Sequence, residues 1–320
     1  MSVQVFIPTF NRSAMLARAI QSVLDQSRRD VQVVVLDNHS GDDTPTVVAA
    51  LMAADPRITC MRREQNIGML PNVNAIRALV TADYFSVLTD DDEYEPCFVE
   101  TALSCFGKDA RIAFVACNAP TRRNGEVLKS QLDAWREGYY RANTTAFKCL
   151  TGQYPLITNC LFKAAIAAEF VFHEDMGNTS DGMLLTCLFS KYDAYVSKVI
   201  TGHWNNDDGN ASNLHRADPV LLVDRAIHES RHYNAFCREN GILRRGMLLL
   251  WLKRFLTVLI AADKSGFAHV RNASQMKQSF STPTIAVLWL LDRLKLVWLF
   301  EVGLSLLRRL NKSWIAWRES

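Results

Sequence analysis

Apolar residues in the first 120 positions follow two alternating rhythms. Val3–Pro8, Val31–Leu36, Ile58–Met61 and Tyr84–Leu88 are short, nearly unbroken apolar runs, the signature of strands covered on both faces. Between them the apolar residues spread to helical spacing. Leu16, Ile20, Val23 and Leu24 fall at i, i+4, i+7 and i+8; Val47, Val48, Leu51 and Met52 follow a Thr44-Pro45 start; Val73, Ile76 and Leu79 mark a third helix. Asn11 or Ser13 is expected to cap the first helix. Strand–helix alternation with short loops predicts an α/β fold built on a parallel, doubly wound sheet. Such sheets bind ligands beyond the carboxyl ends of their strands, so Thr9–Arg12, Asp37–Asp43 and Asp90–Asp92 are expected on one rim.

Farther along, the pattern predicts a helix over Pro96–Phe106, a fifth strand over Ile112–Cys117 and a hairpin at Asn124-Gly125. It then predicts a helix from Asn159 to about Phe170, another from Ser180 to Ser190, and a strand at Ala194–Val199. Beyond Leu221 the chain reads as helical, which divides it into 1–220 and a helical C-terminal region, 221–320.

Charge sharpens that division. Residues 241–320 hold 13 Lys and Arg against 4 Asp and Glu, so the formal +3 of the chain separates into +9 there and −6 before it. Five of the seven Trp lie in the same segment. Glu301, Ser305, Arg308, Arg309 and Lys312 share one helical face, and the uncharged apolar stretches are shorter than the ~18–20 residues a span needs. Two readings stay open: a basic, Trp-bearing surface for a membrane interface, or a helical subdomain or oligomer interface. No nucleic-acid recognition motif accompanies the charge. A hydrophobic fraction of 49% with 22% charged residues excludes disorder. The eight cysteines form no CxxC pair, which fits reduced thiols. No basic, apolar leader opens the chain, so a cytoplasmic location is expected.

The chemistry concentrates at Asp90-Asp91-Asp92. Three adjacent carboxylates repel one another unless a cation or strong donors stand among them. Mg²⁺ and Mn²⁺ take oxygen ligands and bridge carboxylates to phosphates. A solvated acidic loop is the alternative, and the position after an apolar strand argues against it.

Four segments together carry a resemblance: Val5-Phe6-Ile7-Pro8-Thr9-Phe10-Asn11-Arg12, Val33-Val34-Val35-Leu36-Asp37-Asn38-His39-Ser40, Asn66-Ile67-Gly68 and Leu88-Thr89-Asp90-Asp91-Asp92. In this order and spacing the first 120 residues resemble the family 2 glycosyltransferases of GT-A fold. The resemblance implies that Pro8, Thr9 and Arg12 border the base and diphosphate of a nucleotide-sugar, with Asn66 and Gly68 beside them. It implies that Asp37 bonds the base, that Asp90 or Asp91 meets the ribose, and that Asp92 binds Mn²⁺ or Mg²⁺. His39 is given no role, as a lone loop histidine.

Sugar transfer with inversion also needs a base for the acceptor hydroxyl. The segment from His173 to Leu184 resembles the family's base-bearing helix start, where Asp181 matches the base and Glu174 and Asp175 are fallbacks. Ser180 and Gly182 depart from the usual acidic and aromatic neighbours. The stretch from His203 to Ser212 resembles a loop that completes the metal shell in some members; Asp207 stands in register, His203 four residues earlier.

The expected activity is transfer of a sugar from a UDP-, dTDP-, GDP- or CDP-sugar to a glycan hydroxyl. The acceptor is expected to be lipid-linked and to belong to a bacterial surface polysaccharide, with the chain peripheral on the inner face of the cytoplasmic membrane. A sugar nucleotidyltransferase would need a Gly-rich phosphate loop, which Thr9-Phe10-Asn11-Arg12 is not. An inactive glycan- or membrane-binding homologue is the other alternative.

Overall fold

The computed structural model describes residues 1–205 apart from 124, 146–147, 150–152 and 175–179. They belong to one compact unit, Met1–Asp207. The expected helical region 221–320 and its basic face lie outside the described residues. Seven cysteines, at 60, 97, 105, 117, 149, 160 and 187, are free thiols.

The opening rhythm becomes β1 (Val3–Thr9), α1 (Ser13–Leu24), β2 (Val31–Asp37), α2 (Thr44–Ala54), β3 (Ile58–Arg62), two short helices α3 (Met69–Asn74) and α4 (Ile76–Leu79), and β4 (Tyr84–Val87). Alternation along β1 explains its unbroken apolar run. Val3, Val5 and Ile7 join Val31, Val33 and Val35 in one core with Leu16 and Ile20 of α1. Phe6 and Leu36 point into a second core on the opposite face, with Phe85 and Ile76. Each fully buried aliphatic or Phe side chain contributes roughly 1.5–3 kcal/mol.

The chain continues through β5 (Glu93–Tyr94), α5 (Phe98–Phe106), β6 (Ile112–Asn118), β7 (Pro120–Arg123), β8 (Glu126–Ser130) and β9 (Gly138–Tyr140). It ends, within the described residues, with β10 (Cys160–Lys163), α6 (Ser180–Lys191), β11 (Asp193–Ile200) and β12 (Gly202–Asn205). The expected hairpin joins β7 to β8, with Gly125 at φ 82°.

Eight strands form one sheet in the order β3-β2-β1-β4-β10-β6-β11-β9. β1 to β4 are mutually parallel and β11 is parallel to β6, but β10 runs antiparallel to both β4 and β6 and β9 antiparallel to β11. The sheet is therefore mixed, a correction to the all-parallel expectation.

A second correction concerns residues 159–170, expected as one helix. They form β10 and a 3-10 stretch at Ala164–Glu169. The slot between β4 and β6 draws Cys160–Lys163 out of the expected helix: Ser86 donates to the Cys160 carbonyl (2.7 Å), and Phe162 packs between Phe85 and Phe114. Such tertiary contacts outweigh a weak local preference.

Because β10 is antiparallel to both neighbours, β6 and β11 run with β1–β4. All six strands thus end on one rim. α6 leads into the start of β11 at Asp193, next to Ile112 at the start of β6. It therefore descends from rim to base and sets Ser180 and Asp181 on the rim. A smaller sheet, in the order β5-β12-β7-β8, adjoins.

Candidate functional site

Three rim loops are laced together by side chains too short to reach far. Asn11, at φ 55°, does not cap α1; Arg12 occupies the N-cap and makes no side-chain cap bond. Instead the Asn11 backbone donates to Ser40 Oγ (2.9 Å) and its Oδ1 accepts from Gly41 N (2.7 Å), tying the loop after β1 to the loop after β2. Asn38 extends the lacing to the third loop. Its Nδ2 donates to Asn66 Oδ1 (2.8 Å) and its Oδ1 accepts from Ile67 N (3.0 Å), while Asn66 Oδ1 also accepts from Gly68 N (2.9 Å). Gly68, at φ 90°, occupies a conformation that side chains rarely adopt.

Asp37 is buried at the end of β2. Its Oδ1 accepts from Ser40 N (2.9 Å) and its Oδ2 lies 3.6 Å from Arg62 Nε. Arg62 also donates to the Ser40 carbonyl (2.8 Å). Sequence reasoning passed over Arg62 and Asn38; their place at the end of β3 and the end of β2 was the available signal. His39 is exposed, at φ 68°, with Nδ1 3.2 Å from the Arg63 carbonyl. Pro8 is half-buried at the end of β1, and Phe10, in the loop that follows, is 42% exposed.

The triplet meets the first loop directly. Thr9 donates to Asp90 Oδ2 (2.8 Å), and Arg12 Nη1 bridges Asp90 Oδ1 (3.1 Å) and Asp91 Oδ2 (3.2 Å). Burial holds the Asp90 carboxyl above the usual carboxylate range against the Thr9 and Arg12 contacts. Asp92 turns inward and is 3% exposed. Its Oδ2 accepts from Thr89 Oγ1 (2.7 Å) and its Oδ1 from Asn205 N (2.9 Å). Burial, then the neighbouring Asp91, pushes its pKa up to about 7. The Asn205 amide also donates to the Asp91 carbonyl (2.8 Å), so β12 holds the triplet from behind.

Among the described residues no three His, Cys, Asp or Glu side chains converge as a metal cage. A hard divalent ion that bridges to substrate phosphates needs only one or two protein carboxylates. The triplet fits that smaller demand, and Asp91 is its more open member, with a side chain 20% exposed.

His203 lies on β12 and faces a cation, not a carboxylate cluster. Its Nδ1 is 2.8 Å from Arg122 Nη2 and 3.3 Å from Glu95 Oε1. Burial and then the Arg122 charge hold its pKa below the ordinary value. The weaker of the two expected metal-ligand candidates thus has its Nδ1 engaged with Arg122 and Glu95. Asp207 and Asp175 lie outside the described residues. Glu174 is exposed.

Asp181 sits in the first turn of α6 at the rim, where a helix N-terminus favours a carboxylate. Its Oδ1 accepts from Gly182 N (2.7 Å). Tyr154 lies against Gly182: a Cβ there would lie 2.6 Å from Tyr154 Cε1, so the ring would have to shift to admit one. Tyr154 thus supplies an aromatic ring beside Asp181 from another segment, which accounts for the glycine at the position after Asp181.

Comparison with known proteins agrees with this arrangement. The family described as Glycosyl transferase family 2 matches residues 4–170. The GalNAc(5)-diNAcBac-PP-undecaprenol beta-1,3-glucosyltransferase of Campylobacter jejuni is 38% identical over 93 residues, 28% of this chain and 30% of that one. Chondroitin synthase of Escherichia coli is 34% identical over 130 residues, 40% of this chain and 19% of that one. The match thus spans less than a third of either relative. Among solved structures, S. aureus TarS 1-349 in complex with UDP-GlcNAc superposes with a TM-score of 0.58 at 14% identity, over 92% of each chain. The mannosyltransferase PcManGT from Pyrobaculum calidifontis, in complex with GDP-Man and Mn²⁺, gives 0.56 at 18% identity, over 92% of this chain and 80% of that one. At these identities the likeness is one of fold.

Proposed function

From the premise that the chain belongs to glycosyl transferase family 2 and has the GT-A fold, we propose that it moves a sugar from a nucleotide diphospho-sugar to a glycan hydroxyl with inversion. One observation carries the reading: a carboxylate triplet laced by donors, and bridged by the half-exposed Arg12, stands at the rim where strands β1 and β4 end. The name of one relative supports an acceptor class. A polyprenyl-linked glycan of a bacterial surface polysaccharide suits the Campylobacter relative's name. A peripheral site on the cytoplasmic membrane, engaged by the basic residues of 241–320, goes with such an acceptor.

Pro8, Thr9, Asp37, Asn66 and Gly68 shape the nucleotide cleft, with Phe10 offering an aromatic face to the base. Arg12 neutralises phosphate oxygens, and Asp90 supports the ribose. Asp91, rather than the inward-turned Asp92, presents the carboxylate for Mn²⁺ or Mg²⁺. When bound, that ion would neutralise charge on the departing diphosphate. The acceptor oxygen attacks the anomeric carbon from the face opposite the diphosphate, and its proton passes to the Asp181 carboxylate. The carbon–oxygen bond to the nucleoside diphosphate breaks as the new glycosidic bond forms, which inverts the centre.

A thermal-shift panel of UDP-, GDP-, dTDP- and CDP-sugars, with and without Mn²⁺, tests the reading. A donor present at ~100 times its Kd stabilises the chain by about 2.7 kcal/mol. No shift with any donor, in either condition, would defeat the proposal.

A further inference from the structure

We infer that Arg12 is a resident counter-ion that holds the divalent cation's place until a nucleoside diphosphate arrives, making metal and diphosphate binding interdependent through one side chain. The inference rests on the metal–diphosphate reading of the rim and adds a coupling to it.

The geometry of Arg12 is unusual for a guanidinium. Arginine commonly grips one carboxylate through two parallel N–H bonds. Here a single nitrogen, Nη1, stands between two different carboxylates at 3.1 and 3.2 Å, the way a point charge would. The reason lies in the sequence. Asp90 is 6% exposed and Asp91 follows it directly, so their charges are held close in a partly dry site. Without a cation between them the rim would repel itself, and Arg12 supplies that charge.

The same structure lets the side chain leave while its backbone stays. The Arg12 carbonyl accepts from Leu16 N (2.9 Å) at the start of α1. Its neighbour Asn11 is pinned to Ser40 and Gly41. The guanidinium itself is on a side chain 36% exposed, so it can turn outward without unmaking the loop.

A divalent ion approaching Asp91 alone must expel Arg12 from its two carboxylates and gives it nothing in return. A diphosphate arriving with the ion offers new anionic oxygens, which suit the planar guanidinium fork. Charge is then conserved in the exchange: the ion takes the carboxylate and Arg12 takes phosphate. By reciprocity, whatever factor the diphosphate adds to metal affinity the metal adds to diphosphate affinity.

The test is a Mn²⁺ titration of the full chain, read from the free-ion electron paramagnetic resonance signal, alone and with UDP, GDP, dTDP or CDP. Arg12→Gln should bind Mn²⁺ alone about ten-fold more tightly than wild type, as expected for removing one adjacent positive charge. The factor by which the fitting diphosphate tightens Mn²⁺ should shrink in that variant. Arg12→Lys, which keeps the charge but lacks the fork, should bind Mn²⁺ alone as wild type does.

A second readout needs no variant. Mn²⁺ alone should raise phenylglyoxal modification of Arg12, measured by peptide mass, and Mn²⁺ with the fitting diphosphate should lower it below the metal-free level. Unchanged Mn²⁺ affinity in Arg12→Gln, or Arg12 modification indifferent to saturating Mn²⁺, overturns the coupling while leaving the metal site standing. Failure of wild type to bind Mn²⁺ with any of the four diphosphates overturns the metal reading and the coupling together.

Discussion

Asp91 and Asp92 are chain neighbours with opposite surroundings. Asp92 is buried and accepts from Thr89 Oγ1 and Asn205 N, so Asp92→Ala leaves two donors unmet and should cost about 1–3 kcal/mol of stability. Asp91 faces Arg12 and solvent, so Asp91→Ala should melt near wild type yet lose the Mn²⁺-dependent part of the donor's thermal shift. Melting curves of the two variants check both statements, and the reverse assignment of effects would return the metal to Asp92. His203 carries a pH signature of its own. Burial and Arg122 depress its pKa from the ordinary 6.5, so the folded chain binds that proton less readily than the unfolded one. The stability it contributes is present above the unfolded value and is lost as pH falls through the folded one. The stability advantage of wild type over His203→Gln should therefore shrink between about pH 7 and about pH 5. An advantage that grows on acidification would show that Glu95, 3.3 Å away, dominates instead.

At the scale of elements, α6 shows how a departure from family pattern becomes intelligible in three dimensions. Tyr154 occupies the space where a side chain at 182 would project. Gly182→Ala should destabilise the chain by about 1–3 kcal/mol through overpacking and reduce transfer by tilting Asp181. Adding Tyr154→Ala should recover part of the lost stability, since contacting residues couple; a purely additive double variant, by denaturant melts, would break the link. The sequence could not reveal this pair because its members stand 28 positions apart across unrelated pattern. What it revealed well were β1 to β4, whose apolar runs reflect burial on two faces, and α1, whose stripe at Leu16, Ile20 and Val23 lies in one core. It failed at β10, where Cys160–Lys163 was read into the helix that the following alanines suggest, while the slot between β4 and β6 demanded a strand. It also offered Asn11 or Ser13 as the cap of α1, when Arg12 stands at the N-cap and Asn11 joins two rim loops.

Across the whole unit, the legible part of the site is the part that strands deliver, and the illegible part is the lacing between loops. Position at a strand's carboxyl end was enough to gather Thr9, Asp37 and Asp90–Asp92. No local pattern announced that Asn38 would hold Asn66 and Ile67, that Arg62 would face Asp37, or that Asn205 would reach Asp91 and Asp92 from β12. These contacts join residues 25 to 114 positions apart, and only the sheet order determines that they meet. The lacing has a measurable consequence for the molecule as a unit. Hydrogen exchange should be slowest in β1, β4, β10 and β6, which have strands on both sides, and faster at the edge strands β3 and β9. A bound donor should then slow exchange together in the segments around Thr9–Arg12, Asp37–Gly41, Asn66–Gly68, Thr89–Asp92 and Asp181, while the opposite ends of the same strands, near Asp30, Arg57 and Asp83, stay as they were. Protection confined to one loop would mean that the rim is a set of separate contacts; protection that spread equally to both ends would mean that the donor stabilises the sheet as a whole and that the rim has no privileged part in binding it.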